Sequence, residues 1–227
     1  MKVTYFGHAC FLVEIENIKL LFDPFISPNE LAKEIDVESL MPDYILISHG
    51  HEDHVYDAEK IAKQSGATII SNFEITSWFN KKGIEKTHPM NHGGSWNFNF
   101  GKVKYVNAVH SSGLPDGSYG GNSGGFVIES KEENFYFAGD TALTMDMKLI
   151  PLFTKLNFAI LPIGDNFTMD VNEALIAADF IECKQIIGMH YDTFGFIEID
   201  HDKAKDKFSQ KEKDLLLLKI GQTQDIK

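Results

Sequence analysis

The run Ser48-His49-Gly50-His51-Glu52-Asp53-His54 constrains this chain more than any other feature in it. It directly follows Tyr44-Ile45-Leu46-Ile47, an unbroken apolar stretch of the kind found in strands buried on both faces. His49, His51, Asp53 and His54 are thereby crowded onto the end of one buried strand. In an extended chain residues i and i+2 point to the same side, so His49 and His51 can converge on one cation. Asp53 and His54 come one turn later, where the chain bends toward a helix starting near Asp57, and can face a second. Imidazole with carboxylate suits zinc, manganese or iron. A site of two ions needs more donors than this run supplies.

The remaining sequence offers them at one recurring place. The apolar run Val103 to Val109 ends in His110, Asn134 to Ala138 ends in Gly139-Asp140-Thr141, and Gln185 to Met189 ends in His190. Each stands just past an apolar strand, where α/β folds carry functional groups. Further strands are predicted over 2–6, 11–15, 18–22, 67–71, 95–100, 125–129 and 158–162, with a last one in the Leu-rich tail at 215–220. Helical spacing covers 57–65, stopping at Gly66, then 145–156 and 201–211; residues 30–40 read as a helix or two helical turns. Asp170 and Glu173 form a capping box that opens a helix to about residue 182. There is no repeat, low-complexity tract or linker, so a single domain over 1–227 is expected. Its class is layered α/β, with more strand than a doubly wound fold carries.

Charge narrows the partners. Asp and Glu total 33 against 21 basic residues, a net charge of -12, and every basic residue is lysine. Bidentate readout of bases and phosphates is mostly arginine work, so nucleic acid is not an expected partner. An anionic substrate would have to be held by lysine, backbone N–H groups or metal ions. A chain of this length buries about 70% of its unfolded surface and can do without disulfides. Cys10 and Cys183 therefore read as reduced thiols of a cytoplasmic protein. No signal segment and no apolar stretch of membrane-spanning length is apparent, so no membrane partner is expected.

Taken together, the HGHEDH run, His110, the Gly139-Asp140-Thr141 segment and His190 resemble the metallo-β-lactamase superfamily. Gly7-His8-Ala9-Cys10-Phe11, Leu21-Phe22-Asp23-Pro24, Leu161-Pro162-Ile163-Gly164 with Phe167-Thr168-Met169, and Met189-His190-Tyr191 are similar to its branch of small metal-dependent hydrolases akin to L-ascorbate-6-phosphate lactonase. The resemblance spans nearly the whole chain. It implies a four-layer αββα sandwich of two mixed sheets with helices on the outer faces. It further implies two divalent ions, zinc first, with manganese or iron as alternatives. His49, His51 and His110 would hold one ion, Asp53, His54 and His190 the other, and Asp140 would bridge them. Flavodiiron relatives carry Glu where this chain has His51, which argues against reduction of oxygen or nitric oxide.

The expected activity is hydrolysis of a lactone, ester or phosphoester bond in a small molecule, by a hydroxide shared between the ions. Asp53 is the candidate for orienting that hydroxide and relaying its proton. Asp23, after the strand ending at Phe22, is a candidate for orienting a ligand histidine. His8, Asn166 and Tyr191 are candidates for substrate contact, although Tyr191 suits core packing as well. Two alternatives share the metal motif: a nuclease or phosphodiesterase of the same superfamily, and a non-catalytic metal-binding protein. The oligomeric state is open, a homo-oligomer included.

Overall fold

A computed structural model describes residues 1–226. The first half supplies β1 (Lys2–Gly7), β2 (Cys10–Ile15), β3 (Ile18–Phe22), β4 (Tyr44–Leu46), β5 (Thr68–Asn72) and β6 (Thr87–Met90). Interspersed are α1 (Glu52–Val55), α2 (Ala58–Ser65) and α3 (Phe73–Lys81). The second half supplies β7 (Ser95–Phe98), β8 (Gly101–Asn107), β9 (Gly124–Glu129), β10 (Phe135–Phe137), β11 (Phe158–Pro162), β12 (Gln185–Met189) and β13 (Asp214–Leu216). Its helices are α4 (Val171–Phe180) and α5 (His201–Ser209), and β14 (Thr223–Asp225) returns to pair with β1.

The strands make two mixed sheets of seven, in the orders β14-β1-β2-β3-β4-β5-β6 and β13-β12-β11-β10-β9-β8-β7. Each combines an antiparallel meander with a parallel set: β3 to β6 run parallel in one, β10 to β13 in the other. The two-residue period of a strand explains the layering. Leu20, Phe22, Leu46 and Ile70 face the second sheet, whereas Leu21, Ile45, Ile47 and Ile69 face a separate core under α2 and α3. Covering both faces is what turns these strands into continuous apolar runs. Helices α4 and α5 pack on β11 and β13 of the other sheet. Together these layers make the expected α/β sandwich.

Between the sheets, Phe22 meets Phe137 at 4.7 Å, Phe135 at 5.9 Å and Phe126 at 6.3 Å between ring centroids. Such tilted and edge-on contacts add about 0.5–1.5 kcal/mol per pair to the burial itself. Cys10 and Cys183 are both free and buried. No helix among the described residues is long and apolar enough to cross a membrane.

Local chemistry set the element ends. α2 stops at Gly66, whose φ of 71° is left-handed, and α4 starts from the Asp170–Glu173 capping box. Residues 30–40 form two helical turns, one of the two expected arrangements, each a single 3-10 turn, capped by Asn29 and Asp36. Two segments differ from expectation. Within 145–156 a 3-10 stretch, Met145–Leu152, replaces the α-helix; the ring of Pro151 inside it would clash with the carbonyl four residues back in an α-helix. The Leu-rich tail contributes only Asp214–Leu216 to the sheet. Sequence reading also passed over α3, β6 and β14. α3 is capped by the Asn72 side chain, and β6 is an edge strand that tolerates Pro89.

Candidate metal centre

The ends of β1, β3 and β4 meet the ends of β8, β10 and β12, and the side chains singled out by the sequence, Asn166 and Tyr191 excepted, lie in that seam. Two backbone bonds lace it: the His190 N–H donates to the His8 carbonyl at 2.9 Å, and the Gly124 N–H to the Ser48 carbonyl at 3.1 Å. Turning off a strand within one residue requires unusual backbone. His8, Asp23 and His190 have φ of 55°, 40° and 57°, in the left-handed region that non-glycine residues rarely enter. Gly139, at φ 63°, precedes Asp140; a Cβ there would lie 2.6 Å from the Ser48 Cβ, so only glycine fits.

Asp23 is fully buried and organises the floor. It accepts from the Ser48 N–H at 2.7 Å, from the Ser48 hydroxyl at 2.5 Å and from His54 Nδ1–H at 2.8 Å. Having given its only proton to Asp23, the Ser48 hydroxyl must accept from His49 Nδ1–H at 2.9 Å. Both imidazoles then hold a proton on Nδ1 and turn Nε2 toward the cleft. Burial raises the Asp23 carboxyl above its ordinary range, against the pull of His54 and Ser48.

Two donor groups flank Asp140. His49, His51 and His110 offer one nitrogen each, all within 4.8 Å of one another, with His49 Nε2 only 3.0 Å from His51 Nδ1. The Ser111 hydroxyl sits 3.2 Å from His51 Nε2 and holds the ring from behind. Burial lowers the pKa of all three histidines, keeping them neutral and therefore able to donate a lone pair. Asp53, His54 and His190, with His8, make a second group within the same 4.8 Å limit.

Between them, Asp140 Oδ2 lies 2.9 Å from His190 Nε2, 3.3 Å from His54 Nε2, 3.6 Å from His110 Nε2 and 4.0 Å from His49 Nε2. Asp140 Oδ1, His54 Nε2 and His190 Nδ1 are buried without a hydrogen-bond partner among the described residues. Each such orphan costs about 1–3 kcal/mol. Burial opposes a charge on His54, but Asp140, Asp53 and Asp23 outweigh it and raise its pKa well above the ordinary value. Burial also pushes Asp53 and Asp140 up, yet the neighbouring histidines hold both carboxyls well below their usual range. Carboxylates with bare ring nitrogens around a shared oxygen form a donor set that divalent cations fit, replacing the proton on His54.

Of the other candidates, His8 is buried behind Asp53. Its Nε2 lies 3.0 Å from Asp53 Oδ2 and its Nδ1 3.0 Å from the Thr193 hydroxyl. Burial lowers its pKa to about 4, so one proton serves, donated to Asp53 while Thr193 donates to Nδ1. Tyr191 is buried against Tyr5 and away from the cleft; burial raises its phenol well above the ordinary value. Asn166 is exposed, and the cleft wall beside it is made by Phe167. Sequence reading missed Ser48, Ser111 and Thr193 as supports, and Phe167, Phe194 and Phe196 as cleft lining. Ser48 alone had a signal, standing immediately before the array.

The family model described as a beta-lactamase superfamily domain matches residues 2–190. A UPF0173 metal-dependent hydrolase of Christiangramia forsetii is 62% identical, covering 98% of this chain and 99% of its own length. One from Bacillus subtilis is 43% identical, covering 91% and 92%. Among solved structures, Igni18, a metallo hydrolase of the archaeon Ignicoccus hospitalis, superposes with a TM-score of 0.89 at 31% identity, covering 100% and 99%.

Proposed function

The chain belongs to the beta-lactamase superfamily as a metal-dependent hydrolase, and from that premise we propose that it cleaves a lactone, ester or phosphoester bond of a small molecule at a two-metal centre. His49, His51 and His110 would hold one ion, Asp53, His54 and His190 the other, with Asp140 between. Zinc is the first choice, and manganese or iron suit the same donors. Bound there, the pair would supply Lewis acidity and a shared hydroxide as nucleophile. The observation that carries the reading is Asp140 Oδ2, a single buried oxygen with four imidazole nitrogens within 4.0 Å.

The chain's own groups divide the remaining work. Asp53 is partly exposed at the cleft and ionised, which suits it to accept the proton of an attacking water and pass it to the leaving oxygen. His8 pins Asp53 Oδ2 and leaves its other oxygen free for that task. Asp23 fixes the orientation of His54 directly and that of His49 through Ser48.

Elemental analysis of protein purified without chelator, paired with lactone, ester and phosphodiester probes, tests the proposal. Near two metals per chain and turnover of one probe class is the expected result. Asp53→Ala should lose most of the activity together with part of the metal. Less than one metal in folded protein, not restored by zinc, manganese or iron, would overturn the two-metal centre.

A further inference from the structure

The cleft above the donors has a volume of about 610 Å³ and two unlike walls. One is the His and Asp constellation; the other is Phe167, Phe194 and Phe196 with Gly195. The three phenyl groups stay 49%, 38% and 78% exposed, although the chain has an extensive core in which to bury such groups. They belong to two loops, and their places are fixed. Phe167 meets Phe196 edge-on at 6.4 Å, and Phe194 packs on His8 at 5.4 Å and Phe25 at 6.3 Å. The second loop is tied by Asp192 N–H to the Ile197 carbonyl and Ile197 N–H to the Phe194 carbonyl. A preformed aromatic wall at a reactive centre is a place for apolar substrate surface.

The charge around it points the same way. Among the described residues no lysine lines the cleft, and the chain has no arginine. The groove on the far side of Phe196 carries Lys203 and Lys207, but Lys203 is paired with Asp200 at 2.7 Å and Lys207 donates to Asn172. The same groove presents Asp165, Asp170, Glu198 and Asp200. An anionic tail laid over the wall would meet phenyl rings and then carboxylates.

We propose that the substrate is an uncharged ester or lactone whose apolar chain or ring lies against Phe167, Phe194 and Phe196. This rests on the hydrolase reading above and narrows it, since a phosphorylated sugar would have no cationic cradle beyond the metals. In the reaction water forms the new bond to the acyl carbon, the acyl–oxygen bond breaks, and one water proton goes to the alcohol oxygen. The other proton is released from the acid formed, whose carboxylate the acidic rim then repels. The wall that admits the neutral ester thus favours departure of the product.

The test uses metal-loaded protein and p-nitrophenyl acetate, butyrate and hexanoate, with mono-p-nitrophenyl adipate as an anionic counterpart of the hexanoate. The expected kcat/KM rises about threefold to fourfold per methylene, and hexanoate exceeds the adipate ester at least tenfold. Phe167→Ser/Phe196→Ser flattens the series, with melting temperature and metal content as folding controls. A flat series in the wild type, adipate equal to hexanoate, or an unchanged series in the variant would overturn the proposal. Calorimetric binding of neutral 4-phenyl-2-butanone separates it from the bond-cleavage reading. If no ester is hydrolysed, binding at least tenfold weaker in the variant still supports the aromatic site, and equal binding sinks it.

Discussion

The Asp23 carboxylate points at no cleft atom, yet it decides which nitrogen of His49 and of His54 faces the cleft. Asp23→Asn places an amide N–H₂ against a donor whichever way it is turned, either Ser48 or His54. Metal affinity should fall about 10–100-fold, read by chelator competition, while turnover at saturating metal falls less. Equal affinity would show that the ring orientations are held otherwise. The array from His49 to His54 was legible because its donors are neighbours in the chain. The bond from His8 to Asp53 was not: it spans 45 residues, and nothing local in Gly7-His8-Ala9 tells a histidine aimed at substrate from one aimed at a carboxylate.

At the scale of elements, two substitutions separate backbone that serves the site from backbone that serves the fold. Asp170→Ala removes the cap of α4, costing about 1 kcal/mol, or roughly 2–4 °C in melting temperature, with metal binding untouched. Gly139→Ala drives a Cβ toward Ser48 and forces a left-handed φ on alanine, costing about 1–3 kcal/mol. It should also weaken metal binding, because Ser48 orients His49. A Gly139→Ala protein with normal metal affinity would contradict that link. The inner strands were readable from their apolar runs because burial on both faces leaves no polar phase. Edge strands β6 and β14 carry no such run, since THPM and TQD have little to bury. α3 was hidden by its β-branched and aromatic residues, which local propensity assigns elsewhere.

Across the whole molecule, the donors are drawn from both sheets, so a bound ion would stabilise the seam as well as serve it. Stripping with chelator should lower the melting temperature, and metal at a hundredfold above its Kd should return about 2.7 kcal/mol, roughly 5–10 °C. No recovery would show that the sheets hold without help from the cleft. The left-handed residues His8 and His190 carry a different consequence. At both, glycine or asparagine would suit the backbone better, so heritable stability and activity pull in opposite directions there. A mutant library selected for heat resistance in chelator should drift toward those residues at 8 and 190, whereas one selected for turnover should keep the originals. Such drift would mark these strand ends as places where tolerance of the fold is exchanged for the chemistry of the cleft.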